Sequence, residues 1–448
     1  MAVDKARETA LKILYEINEQ GAYSNIAVKD HISDEKLSGI DRAFISELVY
    51  GTICWKLTLD WIIRKYSTVK FRKISPWVLN ILRMGIYQLV YLDKVPPSAA
   101  VNESVNLARK YGHKGSVSFV NGLLRNIARQ KDSINFSGIK DTDELLSVKY
   151  SHPQPLVRKL LKLYGRDFTE QLLMVNNSSP EFTIRVNTLK TTREELINNL
   201  NERGYKSVMG KYSNNAIQVE NPGGLVDSDL HRNGFFQVQD ESSMLAVELM
   251  DPKPGMTVID VCSAPGGKTS YMAQLMENKG FIHAGDIYPH RMELVQKNAE
   301  RLGITIINTY LLDAAKTFDK FVETADRVLV DVPCSGLGIL RRKPDIKWTV
   351  EFDRLSGLSE LQYQILKSSS AYVKPGGVLV YSTCTIMPEE NQQVVKKFVS
   401  ENQGFEFDDI KKFLPGKLTN YAEKGYIQLF PNRDGIDGFF ICRMVKKS

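Results

Sequence analysis

The chain has 448 residues, 43% of them hydrophobic and 25% charged, with a formal net charge of +7. That length calls for two or three domains rather than one, and no run of about 18 apolar residues is present, so no membrane span is expected. Lys5, Arg7 and Glu8 interrupt the start, so no secretory signal is expected. Five widely spaced cysteines, an odd number, argue against a disulfide framework and for a reducing cytoplasm. No Cys/His group has metal-ligand spacing, and no metal is expected.

Residues 1–130 read as all-helical. Ala6, Ala10, Ile13, Leu14 and Ile17 recur at helical spacing. Ser75-Pro76 is an N-cap with proline at the first helical position, opening a helix to about Leu92. Pro96-Pro97 breaks the chain. A helix from Ala99 to Tyr111 stops at Gly112, and Phe119, Val120, Leu123, Leu124 and Ile127 mark another. This region holds 19 basic and 12 acidic residues, the whole of the net charge, while the rest holds 40 of each. Within 51–130 the balance is 13 to 3. Such an excess points to a polyanion such as nucleic acid, or else to a solvated helix surface.

Residues 131–145 are polar and weakly periodic, a linker. Residues 146–245 mix short elements: a helix at 156–164, a strand at 183–187 and a helix at 192–204. They read as a small α+β module. From 246 to 448 strands alternate with helices. The expected strands are 257–262, 281–286, 307–312, 326–332 and 376–383, followed by a hairpin-like end at 405–409 and 437–446. The pattern implies a doubly wound parallel sheet of α/β class.

Three strand ends carry the chemistry. The first runs into Cys262, Ser263, Ala264, Pro265, Gly266, Gly267 and Lys268, a loop that opens a helix. Its glycines let a ligand approach the backbone, and the helix start offers free N–H groups. The loop fits neither GxGxxG nor a P-loop. Asp286 ends the second strand, where a ribose diol would be held. Asp313 follows the third strand and faces an adenine edge on this reading, although Asp also commonly starts turns. The fourth strand leads through Asp331 to Cys334, and the fifth to Cys384. A free cysteine alone is usually a small core hydrophobe. If strands four and five are neighbours, though, their backbones lie about 5 Å apart and both thiols share one pocket. Cys54, Cys262 and Cys442 read as structural.

Asp260-Val-Cys-Ser-Ala-Pro-Gly-Gly-Lys-Thr, Asp331-Val-Pro-Cys-Ser-Gly-Leu-Gly, Tyr381-Ser-Thr-Cys-Thr and Pro388-Glu-Glu-Asn resemble the RNA 5-methylcytosine methyltransferases of the NOL1/NOP2/Sun family. Arg185-Val-Asn-Thr-Leu-Lys and Phe236-Gln-Val-Gln-Asp-Glu-Ser-Ser extend the match from about 150 to the end. The helical front, with Phe119-Val-Asn-Gly-Leu-Leu-Arg, is similar to the NusB fold, an RNA-binding module. The resemblance implies a Rossmann-like class I methyltransferase domain and S-adenosyl-L-methionine as cofactor. Residues 262–268, Asp286, Asp313 and Asp331 would hold that cofactor. It implies Cys384 as nucleophile on C6 of a loop cytosine in 16S rRNA, with a lowered pKa from Lys268 and nearby N–H dipoles. Cys334 would assist proton removal and release, while Asp331 and Lys268 would bind the ring edge. A cytoplasmic monomer is expected. Ser263, where Ala is common, and Lys343, where His is expected, depart from the pattern. A DNA cytosine methyltransferase would use the Pro-Cys thiol and lack the Thr-Cys one. A vestigial RNA binder would not need both thiols, and a NAD dehydrogenase would need GxGxxG.

Overall fold

The computed structural model describes residues 3–32, 37–351 and 355–448. The chain forms two compact units, Met1–Ser178 with Leu340–Val350, and Ser179–Ile339 with Glu351–Ser448. The first holds helices α1 (Lys5–Gln20), α2 (Ser24–Ile32), α3 (Gly39–Cys54), α4 (Lys56–Tyr66), α5 (Pro76–Tyr91), α6 (Pro97–Tyr111) and α7 (Lys114–Gln130). Ser38 and Asp41 form a reciprocal capping box at α3, and Pro76 opens α5 where a missing N–H costs nothing. One apolar face of each helix meets in a core that includes Leu14, Ile45, Leu82, Leu107 and Leu124.

The segment expected as a linker is partly helical. Asp141 accepts from the Glu144 N–H and starts α8 (Thr142–Tyr150), followed by α9 (Gln154–Tyr164) and α10 (Arg166–Val175). These three helices belong to the first unit, not to the strands that follow.

In the second unit, β1 (Phe182–Val186), α11 (Arg193–Glu202), β2 (Ser207–Met209), β3 (Ala216–Val219), α12 (Asp229–Arg232) and β4 (Phe236–Val238) form a module with an antiparallel sheet in the order β2-β3-β1-β4. Ile184 and Val186 enter the module's core, which by the alternation of a strand sends Arg185 to the opposite face. After α13 (Glu241–Met250) come β5 (Thr257–Asp260), α14 (Gly267–Leu275), β6 (Phe281–Asp286), α15 (Pro289–Leu302), β7 (Ile307–Leu311) and β8 (Ala325–Asp331). There the chain leaves this unit: Leu340–Val350, with the short helix α16 (Ile346–Thr349), belongs to the first. Lys347 is fully buried there, donating to Asn177 Oδ1 at 2.5 Å and to the Cys54 carbonyl at 3.3 Å.

The chain returns through α17 (Leu355–Ser370), β9 (Val373–Thr383), α18 (Gln392–Glu401), β10 (Phe405–Phe407), β11 (Tyr426–Leu429), α19 (Pro431–Asp434) and β12 (Phe439–Lys446). The sheet order is β10-β12-β9-β8-β5-β6-β7, with β11 also on β12. From β9 to β7 it is parallel, and consecutive residues feed opposite cores: Val328 and Val330 one, Leu329 the other. The doubly wound parallel sheet forms, with an antiparallel addition at one edge. β12 runs antiparallel to β9, so the sheet is mixed. The expected terminal pair does form, between β10 and β12, but β12 also bridges β9 and β11.

A buried ion pair braces the helical unit: Arg83 Nε and Nη2 donate to Asp60 Oδ1 and Oδ2 at 2.7 and 2.9 Å. Asp60→Ala strands a buried guanidinium and costs about 3–5 kcal/mol. All four tryptophans (55, 61, 77 and 348) lie in this unit, so their fluorescence in a urea titration reports it alone. The transition moves to lower urea. An unchanged midpoint would contradict the role of the pair.

Candidate active site

Parallel pairing sets Asp331 of β8 opposite Ser382 of β9. The chain turns after each, and the two thiols arrive together: Cys334 Sγ lies 3.1 Å from Cys384 Sγ. The Cys384 N–H also donates to Cys334 Sγ at 3.3 Å. Both residues are half-buried. Cys334 is held well above the usual thiol range by its hydrogen bond to Cys384, then by burial, the charge of Cys384 and the charge of Glu390. Gly338 fixes the backbone behind them. Its N–H donates to the Cys384 carbonyl at 3.0 Å, and a Cβ there would stand 2.0 Å from the Gly438 carbonyl oxygen.

The Gly-rich loop lies at the neighbouring strand, β5, where the strand order reverses and ligands of open α/β sheets bind. Gly266 has φ +99°, a conformation that opens α14 without a side-chain penalty. The Ser263 N–H and hydroxyl both donate to the Gly285 carbonyl, at 2.8 and 3.0 Å, tying the loop to β6. Lys268 Nζ meets Asp331 Oδ2 at 2.8 Å and sits over the Phe439 ring at 5.0 Å. Burial opposes its charge, but Asp331, with Cys384 and Asp260 behind it, outweighs burial, and Lys268 is held above its usual range. The Ser382 hydroxyl donates to the other Asp331 oxygen at 2.7 Å.

The remaining predicted residues fall into two groups. Asp286 is buried; it accepts from the Tyr288 N–H at 3.2 Å and pairs with Arg291 at 3.2 Å. Arg291 also donates to the Ala264 carbonyl at 3.0 Å, so it links the loop to the acid. Asp313 caps its own turn through the Ala315 N–H and pairs with exposed Lys316 at 3.1 Å. The Cys262 thiol is pushed well up by burial and by neighbouring acids, Asp260 first among them.

Residues 247–445 match the model of the 16S rRNA methyltransferase RsmB/F family, residues 4–129 the NusB family, and residues 152–225 the RsmF/B-like ferredoxin-like domain. The probable ribosomal RNA small subunit methyltransferase B of Bacillus subtilis is 40% identical over 449 residues, covering 100% of both chains. This chain belongs to the RsmB/F family of rRNA methyltransferases. The ribosomal RNA small subunit methyltransferase B of Cronobacter sakazakii is 30% identical over 92% of each chain. The crystal structure of PH0851 superposes with a TM-score of 0.80 at 29% identity, covering 100% of each chain.

Within this RsmB/F methyltransferase, several residues of the family-like motifs, to which the sequence assigns no individual role, shape the site. Glu390 is fully buried between the two cysteine loops. It accepts from the Ser335 N–H at 2.8 Å, the Ser335 hydroxyl at 2.5 Å, the Thr385 hydroxyl at 3.1 Å and Gln362 Nε2 at 3.0 Å. Ser335 follows Cys334 and Thr385 follows Cys384, so one carboxylate ties both loops. Asn391 adds bonds to the Thr383 hydroxyl at 2.6 Å and the Thr385 carbonyl at 3.0 Å. Arg185 is 1% exposed and makes no ion pair among the described residues. It donates to the Gly267 carbonyl at 2.8 Å and Ser270 Oγ at 3.0 Å, and lies 4.7 Å over the Tyr271 ring. Burial lowers its pKa to about 9. An acid at the foot of a Pro-Glu-Glu-Asn run and an Arg in a short strand look like surface residues until the partners are known.

Asp260 ends β5 fully buried, accepting from the Thr269 hydroxyl at 2.7 Å. Burial pushes its carboxyl up to about 7. A raised carboxyl pKa favours the neutral form in the fold. The stability it confers is complete below about pH 4, the unfolded value, and is lost as pH rises through about 7. Asp260→Asn stays neutral, so it should gain on the parent chain by about 2–3 kcal/mol between pH 5 and pH 8 in urea titrations. A difference that does not change with pH would refute this.

Proposed function

We propose that the chain transfers a methyl group from S-adenosylmethionine to C5 of a cytosine in 16S rRNA, through a covalent bond between Cys384 and C6. The observation that carries this reading is the pair of thiols 3.1 Å apart beside a Gly-rich loop and a Lys–Asp pair. Cytosine C5 is a poor nucleophile. A thiolate added at C6 breaks the ring's aromaticity and makes C5 enamine-like. C5 then takes the methyl group, loses its proton, and the C6–S bond breaks to restore the ring and the thiolate.

The residues present fit the cofactor: a loop whose glycine opens a helix N-terminus, and a buried acid, Asp286, at the next strand end. Residues 262–268, Asp286, Asp313 and Asp331 would hold it. When bound, S-adenosylmethionine supplies an electrophilic methyl group. Arg291, being half-exposed, can give up Asp286 to a diol.

The pair divides the labour. Cys334, held protonated, can donate its S–H to Cys384, and Cys384 is left to attack. Once Cys384 is a thioether, its charge is gone and its sulfur accepts only weakly. Two of the influences that keep Cys334 protonated disappear with it. Burial and Glu390 still favour the thiol, but Cys334 now loses its own proton to solvent water more readily, and the thiolate takes the C5 proton, directly or through water. Asp331 and Lys268 would hydrogen-bond the N3/N4/O2 edge and stabilise charge that develops on the ring. The base must be unstacked, which favours loop or unfolded RNA.

Nucleoside mass spectrometry of 16S rRNA incubated with the protein and S-adenosylmethionine tests the reaction. The expected product is 5-methylcytidine, absent with Cys384→Ala. A methyl group on ribose or on the exocyclic amine would overturn the reading.

A further inference from the structure

The end of α4 and one face of α7 enclose a pocket of about 350 Å³ that lies wholly in the first unit. It is lined by the rings of Tyr66 and Phe119, by Thr68, Ser118 and Asn126, and by Gly122. Gly122 stands inside α7, where glycine is a poor helix former. No packing demand explains it, because a Cβ there would meet nothing within 4 Å. The glycine leaves the helix backbone open to whatever enters the pocket.

The lining residues, Leu123 among them, are uncharged, but the segments that carry them are strongly basic. Residues 61–73 and 114–130 carry eight Lys and Arg and no Asp or Glu. All eight are exposed, and among the described residues none makes an ion pair. Elsewhere in the same unit exposed cations do find acids, as Lys110 does with Glu8 and Arg158 with Asp143. Unneutralised cations on the same segments as a cavity of aromatic, hydroxyl and amide groups match a single-stranded nucleic acid. Its phosphates meet the cations while one base stacks in the pocket.

We propose that this pocket receives one unstacked nucleobase of the rRNA substrate, as a second base subsite distinct from the thiol cleft. This rests on rRNA being the substrate. The phosphate contacts supply affinity for any sequence. The pocket adds stacking on Tyr66 or Phe119 and an edge contact to Asn126, Thr68 or Ser118.

The test is a size series at Gly122 in the full chain. Leucine favours the helix and fills the pocket, so the fold is retained. Binding is measured to a single-stranded 16S rRNA fragment carrying 4-thiouridine, across a range of salt. Gly122→Leu should weaken binding roughly tenfold, the scale of one lost stacked base, with the salt slope unchanged because no phosphate contact is lost. Gly122→Ala should stay within about threefold of the parent. Photocross-links in the parent chain should map to residues 61–73 or 114–130 and vanish in Gly122→Leu. Parent-like affinity and cross-links in Gly122→Leu would overturn the proposal and leave the pocket to a protein side chain. A parent chain that binds no rRNA fragment would overturn the substrate reading, and the pocket assignment with it.

Discussion

The contact between two sulfur atoms is what the rest of the catalytic unit is arranged to keep. Cys334 and Cys384 are 50 positions apart in sequence, and only the parallel pairing of β8 with β9 brings them to 3.1 Å. Strand pairing fixes the strand ends but not the loops beyond them. Those are held by Glu390, which accepts bonds from the residue after each cysteine, and by Gly338, which packs backbone against backbone on Cys384. A buried carboxylate with four donors stays put, since any displacement would leave charge unsatisfied. The thiol geometry is therefore set by a network outside the pair.

Charge is distributed to the same end. Lys268 and Asp331 neutralise each other at the cleft, and Ser382 fills the remaining oxygen. Arg185 lies behind the loop as a buried cation among neutral acceptors. Leaving a guanidinium unpaired in the interior is costly. It is tolerated here because the whole fork is hydrogen-bonded: Nη1 and Nη2 hold the Gly267 carbonyl and the Ser270 hydroxyl in the first turn of α14, and the guanidinium also reaches Gln239 and Gln274. The antiparallel module thus contributes to the loop through one side chain on the strand face opposite its own core. The helical unit holds both kinds of internal cation: Arg83 is paired bidentately with Asp60, while buried Lys347 donates to carbonyl and amide oxygens, and the cations of residues 61–73 and 114–130 are left unneutralised on the surface.

Much of this was legible in the sequence. Proline at the first position of α5 and the glycine after α6 marked helix ends through local backbone chemistry, and the structure places them within a residue or two. Apolar runs ending in Gly, Cys or Asp marked the strand ends, and the condition for a shared thiol pocket, adjacency of β8 and β9, is met. Pairing direction was not legible. The Phe439–Lys446 run has the same apolar pattern whether it joins β9 parallel or antiparallel, so the mixed edge went unseen. Nor does periodicity reveal that Leu340–Val350 joins the helical unit. Its anchors, Lys347 to Asn177 and Trp348 to the Ile53 carbonyl, span about 170 residues or more. The individual roles of Arg185 and Glu390, both inside quoted motifs, were hidden for the same reason: Arg185 grips Gly267 and Ser270, and Glu390 holds Ser335, all more than 50 residues away. Asp313 shows the reverse. A turn cap was the reading that the sequence offered beside the adenine one, and the structure displays that local bond alongside an exposed lysine.

The division of labour between the thiols is tested most directly by trapping. Each single variant, Cys334→Ala and Cys384→Ala, is incubated with 16S rRNA and S-adenosylmethionine and run on a denaturing gel. If Cys384 attacks and Cys334 serves release, Cys334→Ala stalls as a denaturant-resistant protein–RNA complex carrying the methylated base. Cys384→Ala gives no such band. A covalent complex from Cys384→Ala and none from Cys334→Ala would contradict the account and make the Pro-Cys thiol the nucleophile.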